Sequence, residues 1–231
     1  MRFAPTKCFV LSVTLRTNPS HFSYRLSDTY LEEVKYYKYL GVYITSFLSW
    51  SLQCEEVKTK ANKILCVLQR NLSSCDRAIK SRACVSLVRP IAEYASVAWS
   101  PHTAKDISAI ESIQRRAARF VFNDYSRNSS VSAMLADLNW QSLEERRIIN
   151  DLTMFYKINS NFVNISFPAE ISLGFQGTRR SHECKFMPPS ASVNAYKYSF
   201  FPRSIPVWNG IPFSVVHASS VTLFKASIVL N

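Results

Sequence analysis

Apolar positions along this chain change period twice. Over the first fifty residues they alternate or form short blocks, as strands require. One run, Cys8–Leu15, ends at the turn cluster Asn18-Pro19-Ser20, and the alternating run His21–Leu26 is expected to return antiparallel to it. A third run, Tyr36–Ile44, contains Gly41, which marks a bulge or a close backbone approach. From Ser51 to about Ser160 the period becomes helical. Val57, Ala61, Ile64, Leu65, Leu68 and Leu72 form one stripe, and Ile107, Ile110, Ile113, Ala117, Phe120 and Val121 form another. Ala78–Trp99 is apolar nearly all round, which predicts a central helix kinked or split at Pro90. A short helix is expected near Val131–Leu138. A longer one should start at Ser142-Leu143-Glu144-Glu145, which resembles a capping box, and run to about Ile158. Beyond Asn161, Pro168, Pro188, Pro189, Pro202, Pro206 and Pro212 keep any strand short, and Leu223–Leu230 predicts a closing helix.

The expected fold is therefore α+β. It has a small β-hairpin or sheet over 1–50, a helical bundle over 51–160, and an irregular Pro-rich region over 161–231 with short strands and a terminal helix.

With 231 residues, 47% of them hydrophobic, the chain has enough apolar material for a sizeable core, which excludes intrinsic disorder. Its 4 glycines disfavour Gly-rich and dinucleotide-binding folds. The net charge of +12 and a pI near 9.6 point to a polyanionic partner, either nucleic acid or an anionic membrane surface. Basic residues exceed acidic ones by 3, 5 and 4 in the three regions, with no charged tail. That spread suits a groove following a nucleic-acid backbone. The apolar run Phe9–Val13 is too short to span a bilayer, so no membrane partner is expected. No targeting segment is visible, and the expected location is intracellular, nucleus or cytoplasm, rather than secreted. Six cysteines without C-x-x-C spacing read as free thiols.

Catalytic chemistry is hard to find. Two-metal phosphoryl transfer needs convergent carboxylates, yet Asp28, Asp76, Asp106, Asp124, Asp137 and Asp151 are dispersed, most of them expected on helix surfaces. The pairs Glu32-Glu33, Glu55-Glu56 and Glu144-Glu145 read as solvated charge. His182 and Cys184 form an isolated H-x-C without a second ligand pair. No catalytic residue, metal site, cofactor or small-molecule substrate is expected. The stronger signal is basic helix faces: Lys60, Lys63 and Arg70 on one helix, and Arg115, Arg116 and Arg119 on another. Either set can lie along a duplex backbone. The alternative is an ordinary ion-pair face, with Glu111, Arg115 and Arg119 spaced i, i+4, i+8. Tyr198, Phe200, Phe201 and Trp208 read as core.

Several stretches resemble reverse transcriptases of non-LTR, LINE-type (jockey-like) retrotransposons. Tyr37-Lys38-Tyr39-Leu40-Gly41-Val42, followed by Leu48-Ser49-Trp50, is similar to the hairpin at the palm's end that grips the primer. Pro5-Thr6-Lys7-Cys8 is similar to the preceding palm motif. The runs Leu87–Trp99 and Ile110–Val121 resemble the thumb. Leu138-Asn139-Trp140 with Leu143–Arg147, and Phe200–Pro212 followed by Phe224-Lys225, resemble the segments after it. The family's aromatic-x-Asp-Asp loop is absent. The resemblance therefore implies the palm's end, the thumb and the post-thumb region of an RNA-directed DNA polymerase, not itself an enzyme, with magnesium needed only by the intact parent. It implies residual binding of an RNA/DNA primer–template through Lys38, Lys60, Lys63, Arg70, Arg115, Arg116 and Arg119. Tyr39, Leu40, Gly41 and Val42 would form the primer-grip-like turn. A catalytically inert helical protein-interaction module is the other reading. If the hairpin has lost the strands it packs on, Phe9, Val13, Tyr39 and Val42 should form an exposed apolar patch.

Overall fold

The computed structural model describes residues 4–14, 16, 20, 22–174 and 184–229. Leu15, Asn18, Pro19, His21, His182 and Leu230, all part of the expectations above, lie outside the described residues. The fold is α+β, with small two-stranded sheets beside a helical body.

The N-terminal strands are shorter than the alternation predicts, and they pair differently. Strand β1 (Phe9–Val10) runs parallel to β4 (Glu32–Glu33), while β2 (Arg25–Leu26) folds onto β3 (Thr29–Tyr30). The expected antiparallel return onto the first run is therefore absent among the described residues. A local turn intervenes: Ser27 has a φ of 55°, and Asp28 accepts a hydrogen bond of 2.6 Å from Arg25 Nη2.

The run Tyr36–Ile44 is not one strand but a hairpin, β5 (Tyr36–Tyr39) and β6 (Val42–Thr45), in antiparallel register. Leu40 and Gly41 form its two-residue turn with φ of 46° and 85°, both in the region that primed turns require. Gly41 is thus a turn residue rather than a bulge, and the expected close approach is real. A Cβ there would lie 3.3 Å from the Tyr94 ring, whose hydroxyl donates to the Leu40 carbonyl at 2.9 Å. Strain and crowding act together at this position. A Gly41→Val variant is expected to lose about 1–3 kcal/mol in a denaturant titration.

Helix α1 (Ser51–Asn71) buries Val57, Ala61, Leu65 and Leu68 along the predicted stripe. Next comes a helical run with a defect. Helix α2 (Arg77–Ala83) starts at Asp76, whose carboxylate accepts from the Ile79 amide at 2.7 Å. A π segment follows at Cys84–Val88, leading into α3 (Arg89–Glu93). Pro90 has no N–H to donate, and the turn before it widens instead of breaking. The run stops at Glu93, well short of Trp99, because Ala95 turns left-handed with φ 51°. It is also not central: Cys84, Val88 and Ala92 are buried, but Ile79, Leu87 and Tyr94 face outward.

Helix α4 (Ala104–Phe122) ends at left-handed Asn123, and α5 (Val131–Asp137) follows. In α6 (Leu143–Asn159) the predicted capping box is complete, Ser142 and Glu145 each accepting from the other's amide. The Pro-rich region is more helical than expected. Among the described residues its extended pairing is a single bridge, Leu173 to Phe186, and α7 (Asn194–Lys197), α8 (Phe200–Asn209), α9 (Phe213–Val216) and α10 (Val221–Val229) follow. Pro202 falls in the first turn of α8, where no intrahelical donor is needed, and Pro206 forfeits one bond.

Two apolar cores result. The first joins Val42 of β6 to α1, the run from Cys84 to Trp99, α4 and Leu143. The second gathers Phe155, Trp208 and Phe224, all fully buried, from α6, α8 and α10. Helix α6 serves both, Leu143 at one end and Leu152, Phe155 and Tyr156 further along. Trp208, Phe200 and Phe201 pack into the second core as predicted, Trp208 lying 4.7 Å from Phe155 ring to ring, whereas half-buried Tyr198 stacks on His102 with ring centres 4.2 Å apart. The six cysteines are free thiols. No helix among the described residues is long and apolar enough to cross a membrane.

Candidate nucleic-acid interface

Helix α1 places the basic side chains by spacing alone. At about 100° per residue, Lys60, Lys63 and Arg70 share a sector of about 80° whose centre lies opposite the buried Leu65. The hairpin adds Lys38 to one flank of that sector. The Lys60 ammonium is pulled below its ordinary value, first by partial burial and then by the Lys38 ammonium beside it. Lys38 also lies 5.2 Å from the centre of the Tyr43 ring on the paired strand.

Helix α4 supplies the other flank. Arg116 Nη1 donates to Asn62 Oδ1 of α1 at 2.8 Å, tying the two helices at their exposed edges. Arg119 Nη1 donates to the Ser126 carbonyl at 2.7 Å, which fixes its head over the loop after α4. Gln69, Arg116, Arg119 and the exposed Tyr125 line an open hollow of about 450 Å³ between α1 and that loop. One surface therefore runs from Lys38 through Lys60 across α1 to Arg116 and Arg119. Lys63 and Arg70 are exposed on α1 between its two ends.

Arg115 is not brought into this hollow. It is exposed, on the side of α4 that carries Glu111. The ion-pair alternative for this face is only partly present: the Arg115 charge acts on the Glu111 carboxyl, but no salt bridge within 4.0 Å joins Glu111 to Arg115 or Arg119. Glu111 is turned to α6, where its Oε1 accepts from the Glu144 amide at 2.9 Å. Among the described residues, none of Lys38, Lys60, Lys63, Arg70, Arg115, Arg116 and Arg119 has a carboxylate within 4.0 Å. Pairing occurs elsewhere, as in Arg146 with Glu93 and Arg77 with Asp137.

The primer-grip-like residues divide. Tyr39 and Leu40 project into solvent at the hairpin tip, Gly41 makes the turn, and Val42 is seated in the first core. Of the four residues expected to form an exposed patch, Phe9, Val13 and Tyr39 are exposed, while Val42 is only 8% exposed.

Two of the six aspartates are exceptions to the surface placement expected for most of them. Asp106 is buried and accepts from Ser51 Oγ at 2.9 Å and Thr103 Oγ1 at 2.8 Å, joining the starts of α1 and α4. Asp151 is buried and binds Arg203 through two bonds, Nε to Oδ2 at 2.8 Å and Nη2 to Oδ1 at 3.0 Å. Sequence reasoning missed Arg147, Asp151 and Arg203. The available signal was Asp151 at i+4 from Arg147 and i−4 from Phe155, on the helix face that also carries Leu152. No group of three or more His, Cys, Asp or Glu suited to a metal ion occurs among the described residues. No family model, curated protein or solved structure matches the chain.

Proposed function

We propose that this chain is the thumb and adjoining primer-grip hairpin of a non-LTR retrotransposon reverse transcriptase, working inside the cell, and that its own activity is to hold an RNA/DNA duplex by the backbone. The observation that supports this is the basic surface over β5, α1 and α4, whose cations carry no carboxylate partners among the described residues. Cations without a salt bridge among the described residues, with the Arg116 and Arg119 heads held only by Asn62 and the Ser126 carbonyl, can exchange bound counterions for phosphates without first breaking an ion pair. Nucleotide joining is not part of the proposal. The sequence has no adjacent aspartates, and the two buried ones are engaged by Ser51, Thr103 and Arg203.

Phosphate contacts carry no sequence information. Fluorescence anisotropy with three primer–template duplexes of unrelated sequence should give affinities agreeing within roughly threefold. A preference of roughly 100-fold or more for one of them, or no binding to any, would reject the reading. The exposed Phe9, Tyr39, Leu40 and Phe47 favour a second reading, a catalytically inert protein-interaction module. In that case size-exclusion elution would not change on adding duplex.

A further inference from the structure

Side chains alternate across a strand, so the hairpin β5–β6 has two faces. Val42 sits in the first core, and Tyr39, its partner in register, shares its side of the sheet. Lys38 and its partner Tyr43 occupy the other side, with Tyr36 two residues before Lys38. Tyr36 is 55% exposed and Tyr43 half-buried, their ring centres 6.1 Å apart and tilted by 56°. The two rings are mounted on the helical body. The Tyr43 amide donates at 2.9 Å to Oε1 of Gln53, a buried residue of α1.

Charge on this face has one sign. Lys38 Nζ lies 5.2 Å from the centre of the Tyr43 ring, and the same ammonium stands beside that of Lys60. Glu56, one turn before Lys60 on α1, acts on Lys60 more weakly than Lys38 does. Neither lysine has a carboxylate within 4.0 Å among the described residues. Two ammonium groups side by side repel each other, and an anion placed between them removes that repulsion. A phosphate there would leave its nucleotide against the tyrosine rings.

Those rings select for a strand whose bases are free. A base within a duplex is covered above and below by its neighbours, whereas an unpaired one offers its face to an aromatic side chain. Such stacking tolerates any sequence, because every base has a π-face.

We infer that this face of the hairpin binds unpaired nucleotides of a single strand, Lys38 and Lys60 holding one phosphate while Tyr36 and Tyr43 stack the adjoining base. The partner class, nucleic acid, rests on the reading above, but the grip on a duplex is not needed for it.

Anisotropy titrations of the full chain should compare a blunt RNA/DNA duplex, the same duplex with a single-stranded overhang of about four nucleotides, and that overhang made abasic. The abasic strand keeps its phosphates, so it separates stacking from charge. The base-bearing overhang should bind roughly tenfold or more tightly than the abasic one. Tyr36→Leu should bring that ratio below about threefold, and Tyr36→Phe, which keeps a ring, should preserve it. Both variants should hold the blunt duplex like wild type, with unchanged circular dichroism. A single strand substituted with iodouracil and irradiated with the full chain should crosslink to Tyr36 or Tyr43 whether or not the duplex binds, so the two readings fail separately. The inference is overturned if the abasic overhang binds as tightly as the base-bearing one, if folded Tyr36→Leu keeps the ratio, or if the crosslinks fall outside the hairpin.

Discussion

Replacing Arg203 with alanine is expected to cost about 3–5 kcal/mol of stability at neutral pH, the usual penalty for stripping one partner from a buried ion pair. Arg203 and Asp151 are 13% and 9% exposed at their side chains, so the surviving carboxylate cannot recover full hydration. Arg203 Nη2 also donates to the Val97 carbonyl at 2.7 Å and Nη1 to the Tyr198 carbonyl at 3.1 Å, tying α8 to the segment after α3. Its loss thus loosens the contact between the two cores as well as leaving a charge unpaired.

The pH dependence has a definite direction. Asp151 is already held above its ordinary value of 3.8, first by burial and only partly offset by Arg203. A carboxyl whose folded-state value is raised binds its proton more tightly in the folded than in the unfolded chain. Stability contributed this way grows as pH falls through the folded-state value and levels off below 3.8. Without Arg203 the offset vanishes and the folded value rises further. Urea titrations of the Arg203→Ala variant should therefore show a larger deficit at neutral pH than in mild acid. An Asp151→Asn, Arg203→Met double variant should recover part of the loss, since no lone buried charge remains.

The second large effect concerns binding. A Lys60→Gln, Arg116→Gln, Arg119→Gln variant should keep its fold, because these side chains make no ion pairs among the described residues and their heads lie at the surface. Each phosphate contact contributes about 0.9 to the slope of log affinity against log salt. Three lost contacts should lower the slope by about 2.7 and weaken binding roughly 10²–10³-fold at 0.1 M salt. Substituting Arg77, which is paired with Asp137 and stacked 3.8 Å from the centre of the Phe122 ring, should leave the slope unchanged.

Much of the helical body was legible because its burial follows one period. The stripes of α1 and α4, the capping box at Ser142 and the closing helix were all written in local spacing. The N-terminal strands were not, because alternation says which residues share a face but not which strand is the partner. Here a turn at Ser27 and Asp28 decided the pairing. Prolines misled in the C-terminal region, since Pro202 sits where a helix needs no donor. The basic positions on α1 were readable one helix at a time. Their joining through Lys38 beside Lys60, and through Asn62 with Arg116, depends on packing across more than fifty residues in the second case. The buried charges Arg147, Asp151 and Arg203 were illegible for the same reason: their partners come from α8 and from the backbone of Ala92 and Trp99.

Whether an unpaired basic surface grips a duplex backbone is tested most directly by titrating the full chain on a labelled RNA/DNA primer–template across a salt series. The account predicts a straight line of log affinity against log salt with a slope of about −3 or steeper. A slope near zero, or no measurable association even at low ionic strength, would contradict it.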